Sequence, residues 1–525
     1  MKKRILSMLI CIGVLLAACN LPQETEVSKA GQTQLLMIYM VGSDLESEAG
    51  MASRDLAEIM NSGFNEENMQ VLLCTGGTDY WWTEGISNEA CELYRITNGS
   101  LELLHTMSGT NMAEPATLTE FIDYGYENYP ADYYSMILWD HGGGAVLGFG
   151  ADENHDYDSL SLEELGQAFQ DAKLTAAGER FEWVGFDACL MAMVEVVNVM
   201  ADYSDYLIAS EEMEAGEGWN YACLKTLSDG THYEGMDAAE EILNSYSTYY
   251  ENNYQYTPDY TMACLDLSHT QEVVLGWENL ITVAHQELQN NGYSKIAKMR
   301  DHAKSFGKIS TSGFYDTVDL YDITEKMASA YPEQADNLQS ALDKMVVQLA
   351  TNVHGANGVA VYFPYENKDY AGEWIEEYES TGFSAEYTEF LKTFNNILSG
   401  KRLADWKLAS VSHSENKEIP DEYYVQLTEE QHENFGHAKY SVWEEDRPGS
   451  YICWLTSTDV TITEDGRLSS DFEGKQFFLS NSEGDSLPCC VAEIERNEQY
   501  TKYAIPIIIT PGEGPFSMNA ISAAK

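Results

Sequence analysis

Basic residues are scarce in this chain of 525 residues: 29 Lys and Arg stand against 86 Asp and Glu, for a formal net charge of −57. Such a balance repels phosphate backbones and excludes nucleic-acid binding as a function class. It suits a soluble extracellular protein, or one that draws in basic ligands and divalent cations. Most of the carboxylates read as a solvated surface. Metal-binding spacing among the cysteines is missing too. Cys11 and Cys19 lie in the N-terminal segment, and Cys74, Cys91, Cys189, Cys223, Cys264, Cys453, Cys489 and Cys490 form no pair of CxxC motifs. They are too sparse for a disulfide scaffold and read mostly as small buried residues. Past the first twenty or so residues, no apolar run is long enough to span a bilayer. What is present is apolar and aromatic: 44% hydrophobic and 12% aromatic residues argue for packed cores rather than disorder.

The N-terminus reads as a targeting segment. Lys2, Lys3 and Arg4 precede an apolar run from Ile5 to Ala18, shaped like a signal h-region. Leu16-Ala17-Ala18-Cys19 resembles a bacterial lipoprotein cleavage motif, in which Cys19 becomes the lipidated first residue. Residues 20–33 are polar and read as a tether. The expectation is a cell-envelope protein, held by lipid alone on the outer face of the cytoplasmic membrane or on the cell surface.

Strand-like and helix-like runs then alternate. Gln34–Val41 and Met69–Cys74 are short apolar runs, as buried strands are. Gly42-Ser43-Asp44 ends the first, with Ser43 or Asp44 placed to cap a helix. Cys91–Ile96 and Leu101–Thr106 flank Thr97-Asn98-Gly99-Ser100, a hairpin signal. Residues 116–129 predict a helix, 134–139 a strand, 161–164 a capping pattern, 183–187 a strand and 190–201 a helix. Tyr206–Ala209, Thr261–Leu267 and Val359–Tyr362 read as further strands, and 237–249, 270–289 and 385–398 as helices. The pattern predicts an α/β domain over 34–400 with a mainly parallel sheet covered by helices. From about Asp405 the texture becomes all-β, with runs at Tyr423–Leu427, Lys439–Trp443, Tyr451–Leu455, Gln476–Leu479, Cys490–Ile494 and Tyr503–Ile509. A sandwich-like accessory domain over 405–525 is the expectation there.

Two stretches carry chemistry. Tyr134-Ser-Met-Ile-Leu-Trp139 runs into Asp140, His141 and three glycines, so the histidine stands at a strand's end. Trp183-Val-Gly-Phe-Asp187-Ala-Cys189 ends in an acid and a thiol. Sites in parallel α/β sheets form at the carboxyl ends of strands, which brings His141 and Cys189 to one edge. A cysteine beside a histidine is the minimal nucleophile–base pair, since the thiolate and not the thiol attacks. The segment after Cys189 looks helical, so a helix dipole is expected to favour a negative sulfur. Gly142 has no side chain, so its N–H, with that of Cys189, suits an oxyanion hole. Asp187 lies two residues before Cys189 and therefore faces the same side. Asp140, adjacent to His141, points to the opposite face, which leaves a dyad with no third orienting residue.

These residues resemble the clostripain family of cysteine peptidases, with a caspase-like fold. The likeness rests on Ile38-Tyr39-Met40, Asp140-His141-Gly142-Gly143, Asp187-Ala188-Cys189-Leu190-Met191, and Ser210-Glu211-Glu212 through Gly218-Trp219, with a weaker match at Val361-Tyr362-Phe363-Pro364. It covers roughly 34–400, and the separation 189 − 141 = 48 residues suits it. The resemblance implies an endopeptidase with Cys189 as nucleophile and His141 as acid/base. It also implies that Asp187 lines the primary specificity pocket and selects Arg or Lys at P1. Glu214 and Glu217 are candidates for a second pocket acid. Members are often activated by cleavage between the two catalytic residues. Here that interval holds only Lys173 and Arg180, so maturation at the usual place is not expected.

One further pattern is Asp152-x-Asn154-x-Asp156-x-Asp158 with Glu163 in twelfth position, the oxygen-ligand spacing of a calcium loop. Tyr157 stands where that loop needs glycine. Calcium is thus the one cofactor the sequence raises, as a ligand of this acidic loop. Two rival readings remain: a non-catalytic surface protein that kept the fold, and a cysteine transpeptidase of the cell envelope.

Overall fold

The computed structural model describes residues 33–398, apart from 108–110, 231–232, 255–256, 309–313 and 367–369, and beyond 398 a set of short segments between 412 and 524. The N-terminal signal, Cys19, the tether and the helix stop at Gly400 lie outside the described residues.

The centre is a nine-stranded sheet. In chain order its strands are β1 (Gln34–Val41), β2 (Met69–Gly76), β3 (Glu92–Thr97), β4 (Ser100–Thr106), β5 (Tyr133–Trp139), β6 (Phe181–Asp187), β7 (Ser204–Ala209), β8 (Thr261–Asp266) and β9 (Val346–Thr351). Their spatial order is β9-β8-β7-β6-β5-β1-β2-β3-β4. The five middle strands, β7 to β2, run parallel. Both margins are antiparallel, β2-β3-β4 on one side and β7-β8-β9 on the other. The mainly parallel, helix-covered sheet is as expected, and the antiparallel pairing is confined to its two margins. The β3–β4 hairpin turns at Asn98 and Gly99 with φ of 50° and 65°, which suits the twist of the strands it joins.

Strand β1 shows why the sheet must be covered on both faces. Leu35, Met37, Tyr39 and Val41 pack into one core with Leu118, Phe121 and Ile122, while Leu36, Ile38 and Met40 pack into another with Ala52, Leu56 and Ile59. Side chains alternate along a strand, so an unbroken apolar run serves both faces. The first core is closed by helix α3 (Pro115–Asn128), the second by α2 (Met51–Asn61), which follows the short α1 (Ser43–Ala49). Helix α4 (Leu162–Asp171) opens with the expected capping box: Ser161 Oγ accepts from Glu164 N–H and the Glu164 carboxylate accepts from Ser161 N–H.

The helix expected over 190–201 is shorter. Helix α5 begins only at Val194 and ends at Met200. Residues before it are taken by other partners: Leu190 N–H donates to Glu212 O at 3.2 Å, and Ala192 N–H to Ser210 O at 2.8 Å. Leu190 also has φ +61°, which no helix allows. A three-stranded antiparallel sheet (Ser305–Lys308, Phe314–Asp319, Ala360–Tyr362) lies against this segment, with Ala360 N–H donating to Ala192 O at 2.8 Å. Long helices α6 (Gly235–Asn253), α7 (Thr270–Gln289), α8 (Pro332–Met345) and α9 (Ala385–Leu398) pack around these layers.

Beyond 412 the described segments form small sheets. One has four antiparallel strands, another five, in which only Ser450–Ser457 and Val491–Arg496 pair in parallel. Strands dominate as expected, with one short helix at Glu429–Glu433; of the expected run Tyr503–Ile509, the first two residues end the strand Tyr500–Ala504, and 505–509 lie outside the described residues.

Candidate active site

Register delivers the two reactive residues to one edge. Trp139 of β5 pairs with Asp187 of β6, and Asp140 N–H donates to Asp187 O at 3.3 Å. Two residues further along each strand stand His141 and Cys189. The chains touch there: a Cβ on Gly142 would sit 1.9 Å from the Cys189 carbonyl oxygen. Gly150 N–H donates to His141 O at 2.9 Å, which makes Gly142 and Phe149 a non-hydrogen-bonded pair in their ladder. The Gly142 N–H is therefore not spent on that neighbour.

The histidine has a partner that the sequence did not yield. His141 Nε2 lies 2.7 Å from Asp44 Oδ1. Ser43 and Asp44 do not cap α1; Ser43 is already its first residue, and Gly42 precedes it without a side-chain cap bond. Instead Ser43 Oγ donates to Asp140 Oδ1 at 2.6 Å. Asp140 is buried and also accepts from Ala151 N–H at 2.5 Å. Burial pushes its carboxyl up to about 7, against the pull of His141 and these donors. The signal that reveals Asp44 is strand order: β1 neighbours β5, so the turn after β1 emerges beside His141.

Cys189 is half-buried, and its sulfur accepts from Glu214 N–H at 3.3 Å. Burial, then the Glu214 carboxylate, push the thiol up to about 12, while the Glu214 N–H pulls it the other way. The helix-dipole expectation is overturned, because α5 starts five residues after Cys189. At rest the sulfur is protonated and roofed by the loop that carries Glu214.

The pocket acids separate into three cases. Asp187 is 5% exposed and already satisfied: Tyr221 OH donates to it at 2.8 Å and Trp219 N–H at 3.1 Å. Gly218, at φ +60°, comes so close that a Cβ there would lie 2.8 Å from Asp187 Oδ1. Burial raises Asp187 to about 7. Glu214 is different: it is buried against Asp187, the Ala188 N–H and Trp219, but neither carboxylate oxygen makes a well-formed hydrogen bond among the described residues. Burial, then the Asp187 charge, hold its pKa well above the carboxylate range. Asp55 adds a third buried acid, hydrogen-bonded by Trp139 Nε1 at 2.7 Å and raised by burial and by Asp187. Glu217 turns outward, to Arg54 at 3.4 Å and to the Tyr254 hydroxyl.

The calcium-loop reading does not survive. The segment folds as a hairpin, Gly148–Asp152 against Asp158–Leu160, and its side chains diverge. Asp152 is buried and accepts from Met112 N–H at 2.7 Å, from Asn154 N–H at 3.0 Å and pairs with His155 at 3.0 Å. Asn154 donates to Thr78 O and Asn88 O, both at 3.1 Å. Asp158 accepts from Asn111 at 2.8 Å, and Asp156 is exposed in a left-handed turn. These four do not converge on one point: Glu153–His155 form a single 3-10 turn, and Asp156 and Tyr157 take left-handed φ, which turns the successive side chains apart.

A parallel sheet presenting histidine and cysteine at one edge, with buried carboxyls beside the sulfur, is the layout of a caspase-like cysteine peptidase. The chain belongs to the clostripain family, whose model matches residues 38–406. It is 26% identical over 321 residues to clostripain of Hathewaya histolytica, a match covering 50% of this chain and 59% of that protein, so it spans under two thirds of that relative. Two solved structures share the fold at TM-score 0.50 each. One is an inactive zymogen C11 protease from Parabacteroides distasonis, 21% identical, covering 66% of this chain and 98% of that one. The other is a secreted C11 cysteine protease from Bacteroides thetaiotaomicron in complex with an irreversible peptide inhibitor, 16% identical, covering 67% and 100%.

Proposed function

We propose that the chain is a cell-surface cysteine endopeptidase that cleaves peptide bonds after Arg or Lys. The observation that carries this is the buried pair Asp187 and Glu214 beside the Cys189 sulfur, with no cation and no well-formed hydrogen bond at the Glu214 carboxylate among the described residues. Two carboxyls out of water share protons at rest. A guanidinium or ammonium entering beside them replaces a proton and gains charge-assisted hydrogen bonds. Asp187, already held by Trp219 and Tyr221, fixes the floor, and Glu214 is the acid left to meet the cation.

His141 takes the thiol proton as the sulfur attacks the scissile carbonyl, and the C–S bond forms. The oxyanion meets the N–H groups of Gly142 and Cys189, each contributing about 3 kcal/mol in comparable sites. His141 then gives its proton to the leaving amine as the C–N bond breaks. Water, deprotonated by the same imidazole, hydrolyses the thioester and restores the thiol. The lipoprotein-like N-terminus supports attachment through Cys19 to the cell envelope.

The test is hydrolysis of matched peptide reporters with Arg, Lys or Gln at P1, by wild type and Cys189→Ala. Cleavage of the Arg and Lys reporters that is abolished in the variant is expected. Unchanged cleavage in the variant, or preference for Gln, overturns the reading. Labelled palmitate incorporated by the wild type and not by Cys19→Ala checks the anchor.

A further inference from the structure

We propose that Asp44 is a positioning residue that makes the His141–Cys189 dyad a three-residue relay; this rests on the peptidase reading above. Four residues from two adjacent strand ends form two parallel side-chain pairs. Asp44 Oδ1 meets His141 Nε2 at 2.7 Å, and Ser43 Oγ meets Asp140 Oδ1 at 2.6 Å. Each pair joins the turn after β1 to the end of β5, so the second pair fixes the backbone from which the first projects.

The turn is built for this. Ser43 holds φ +50°, in the left-handed region where a non-glycine residue is strained. Three bonds hold it there: the Asp140 contact, Thr78 Oγ1 donating to Ser43 O at 2.8 Å, and Ser43 N–H donating to Gly77 O at 2.9 Å. Gly42 is pressed against Thr78, where a Cβ would lie 2.7 Å from Cγ2. The result is an aspartate aimed at one ring nitrogen of His141. An imidazole held at Nε2 by a carboxylate keeps its proton there and presents Nδ1 as the base. During attack the carboxylate also stabilises the imidazolium that forms. Side-chain exposures of 42% for His141 and 38% for Asp44 leave the pair open to water, so the effect is smaller than for a buried relay.

The experiment compares Asp44→Asn, Asp44→Glu and Asp44→Ala with wild type on the basic-P1 reporter, and repeats Asp44→Asn in a His141→Ala background. The expected result is a kcat at least about tenfold lower for Asn and Ala with KM within about twofold, partial rescue by Glu, and no further loss once His141 is gone. In Cys189→Ala protein, a downfield ring N–H proton resonance is expected and is lost on Asp44→Asn. That signal does not depend on turnover. A kcat within twofold of wild type for Asp44→Asn, an equal loss in both His141 backgrounds, or a ring N–H signal indifferent to Asp44 overturns the proposal. If the signal responds to Asp44 while Cys189→Ala leaves hydrolysis intact, the peptidase reading has failed and the positioning has not.

Discussion

Gly142 and Cys189 meet backbone to backbone: a methyl group on Gly142 would sit 1.9 Å from the Cys189 carbonyl oxygen and 3.0 Å from its carbon. The two nearest atoms are backbone, which cannot yield as a side chain could. The third neighbour, Met191 Cγ at 3.0 Å, closes the remaining side. Gly142→Ala must therefore push the ends of β5 and β6 apart. We expect a stability loss of about 1–3 kcal/mol in denaturant unfolding. Because the same shift separates His141 from Cys189, kcat should fall by at least about a hundredfold. A folded Gly142→Ala enzyme with wild-type kcat would refute the close approach.

The sulfur of Cys189 should alkylate slowly. Its thiol is raised to about 12 by burial and by the acids Glu214, Glu212 and Asp187, so little thiolate exists at neutrality. The iodoacetamide rate is expected to climb with pH without levelling off below about pH 9. Glu214→Gln keeps the backbone N–H that faces the sulfur and removes the carboxyl whose ionisation opposes the thiolate, so alkylation should speed up at pH values where Glu214 is ionised and stay unchanged where it is protonated. A plateau in the wild-type profile near neutrality would mean a pre-formed thiolate.

Binding of a basic P1 residue should depend on the protonation of the pocket. Asp187 titrates at about 7 and Glu214 is held high beside it, so a cation enters against bound protons below that range. KM for an Arg reporter is expected to fall as pH rises through about 7. Glu214→Gln should raise KM by roughly 30-fold or more, the loss of one buried charge-assisted contact of about 2 kcal/mol. Glu217→Gln, whose carboxylate faces Arg54 and Tyr254, should change KM by less than about threefold. Equal effects of the two variants would show that Glu214 is not the pocket acid.

Asp152 is structural in this fold. Its carboxylate, itself out of solvent, accepts from two backbone N–H groups and pairs with the partly exposed His155. Asp152→Ala leaves buried donors unmet and should cost about 2–4 kcal/mol of stability. The loss should be the same in calcium and in chelator, measured by thermal unfolding. A loss seen only with calcium present would restore the calcium-loop reading.

Much of the parallel middle of the sheet was readable in the chain, because strands buried on both faces are unbroken apolar runs and β1, β2, β5 and β6 have them. His141 and Cys189 followed from the same rule, standing where such runs end. The edge strand β9, Val346-Val-Gln-Leu-Ala-Thr351, escaped notice: a partly exposed margin needs no full apolar run. Asp44 escaped for another reason. It lies 97 residues from His141, and only the adjacency of β1 and β5, which no local pattern encodes, brings the two together. The false helix start at Leu190 had a local cause, an apolar sequence that reads as helix while its N–H groups are claimed by residues 210–212.

The buried acids predict an unusual pH profile for stability. Burial raises Asp140, Asp187 and Glu195 to about 7 and Asp319 to about 6. Glu211, against Asp319, and Glu214, against Asp187, are also held well above the usual carboxylate range, by burial first and then by the neighbouring acid. In the unfolded chain these carboxyls release their protons near pH 4. Between about pH 4 and 7 the folded state therefore binds more protons than the unfolded state, and stability falls as pH rises. The contribution is fully present below the unfolded values and lost as pH passes the folded ones. Thermal unfolding at constant ionic strength should give a Tm that declines from about pH 5 to about pH 8, where many proteins hold steady. Glu195→Gln tests one group alone. Glu195 Oε1 accepts from Tyr362 N–H at 3.1 Å and Tyr378 OH at 2.9 Å, bonds an amide oxygen can also accept. That variant should flatten the slope while leaving Tm at the acid end nearly unchanged. A Tm that rises from pH 5 to 8 would mean that these carboxyls are ionised in the folded protein.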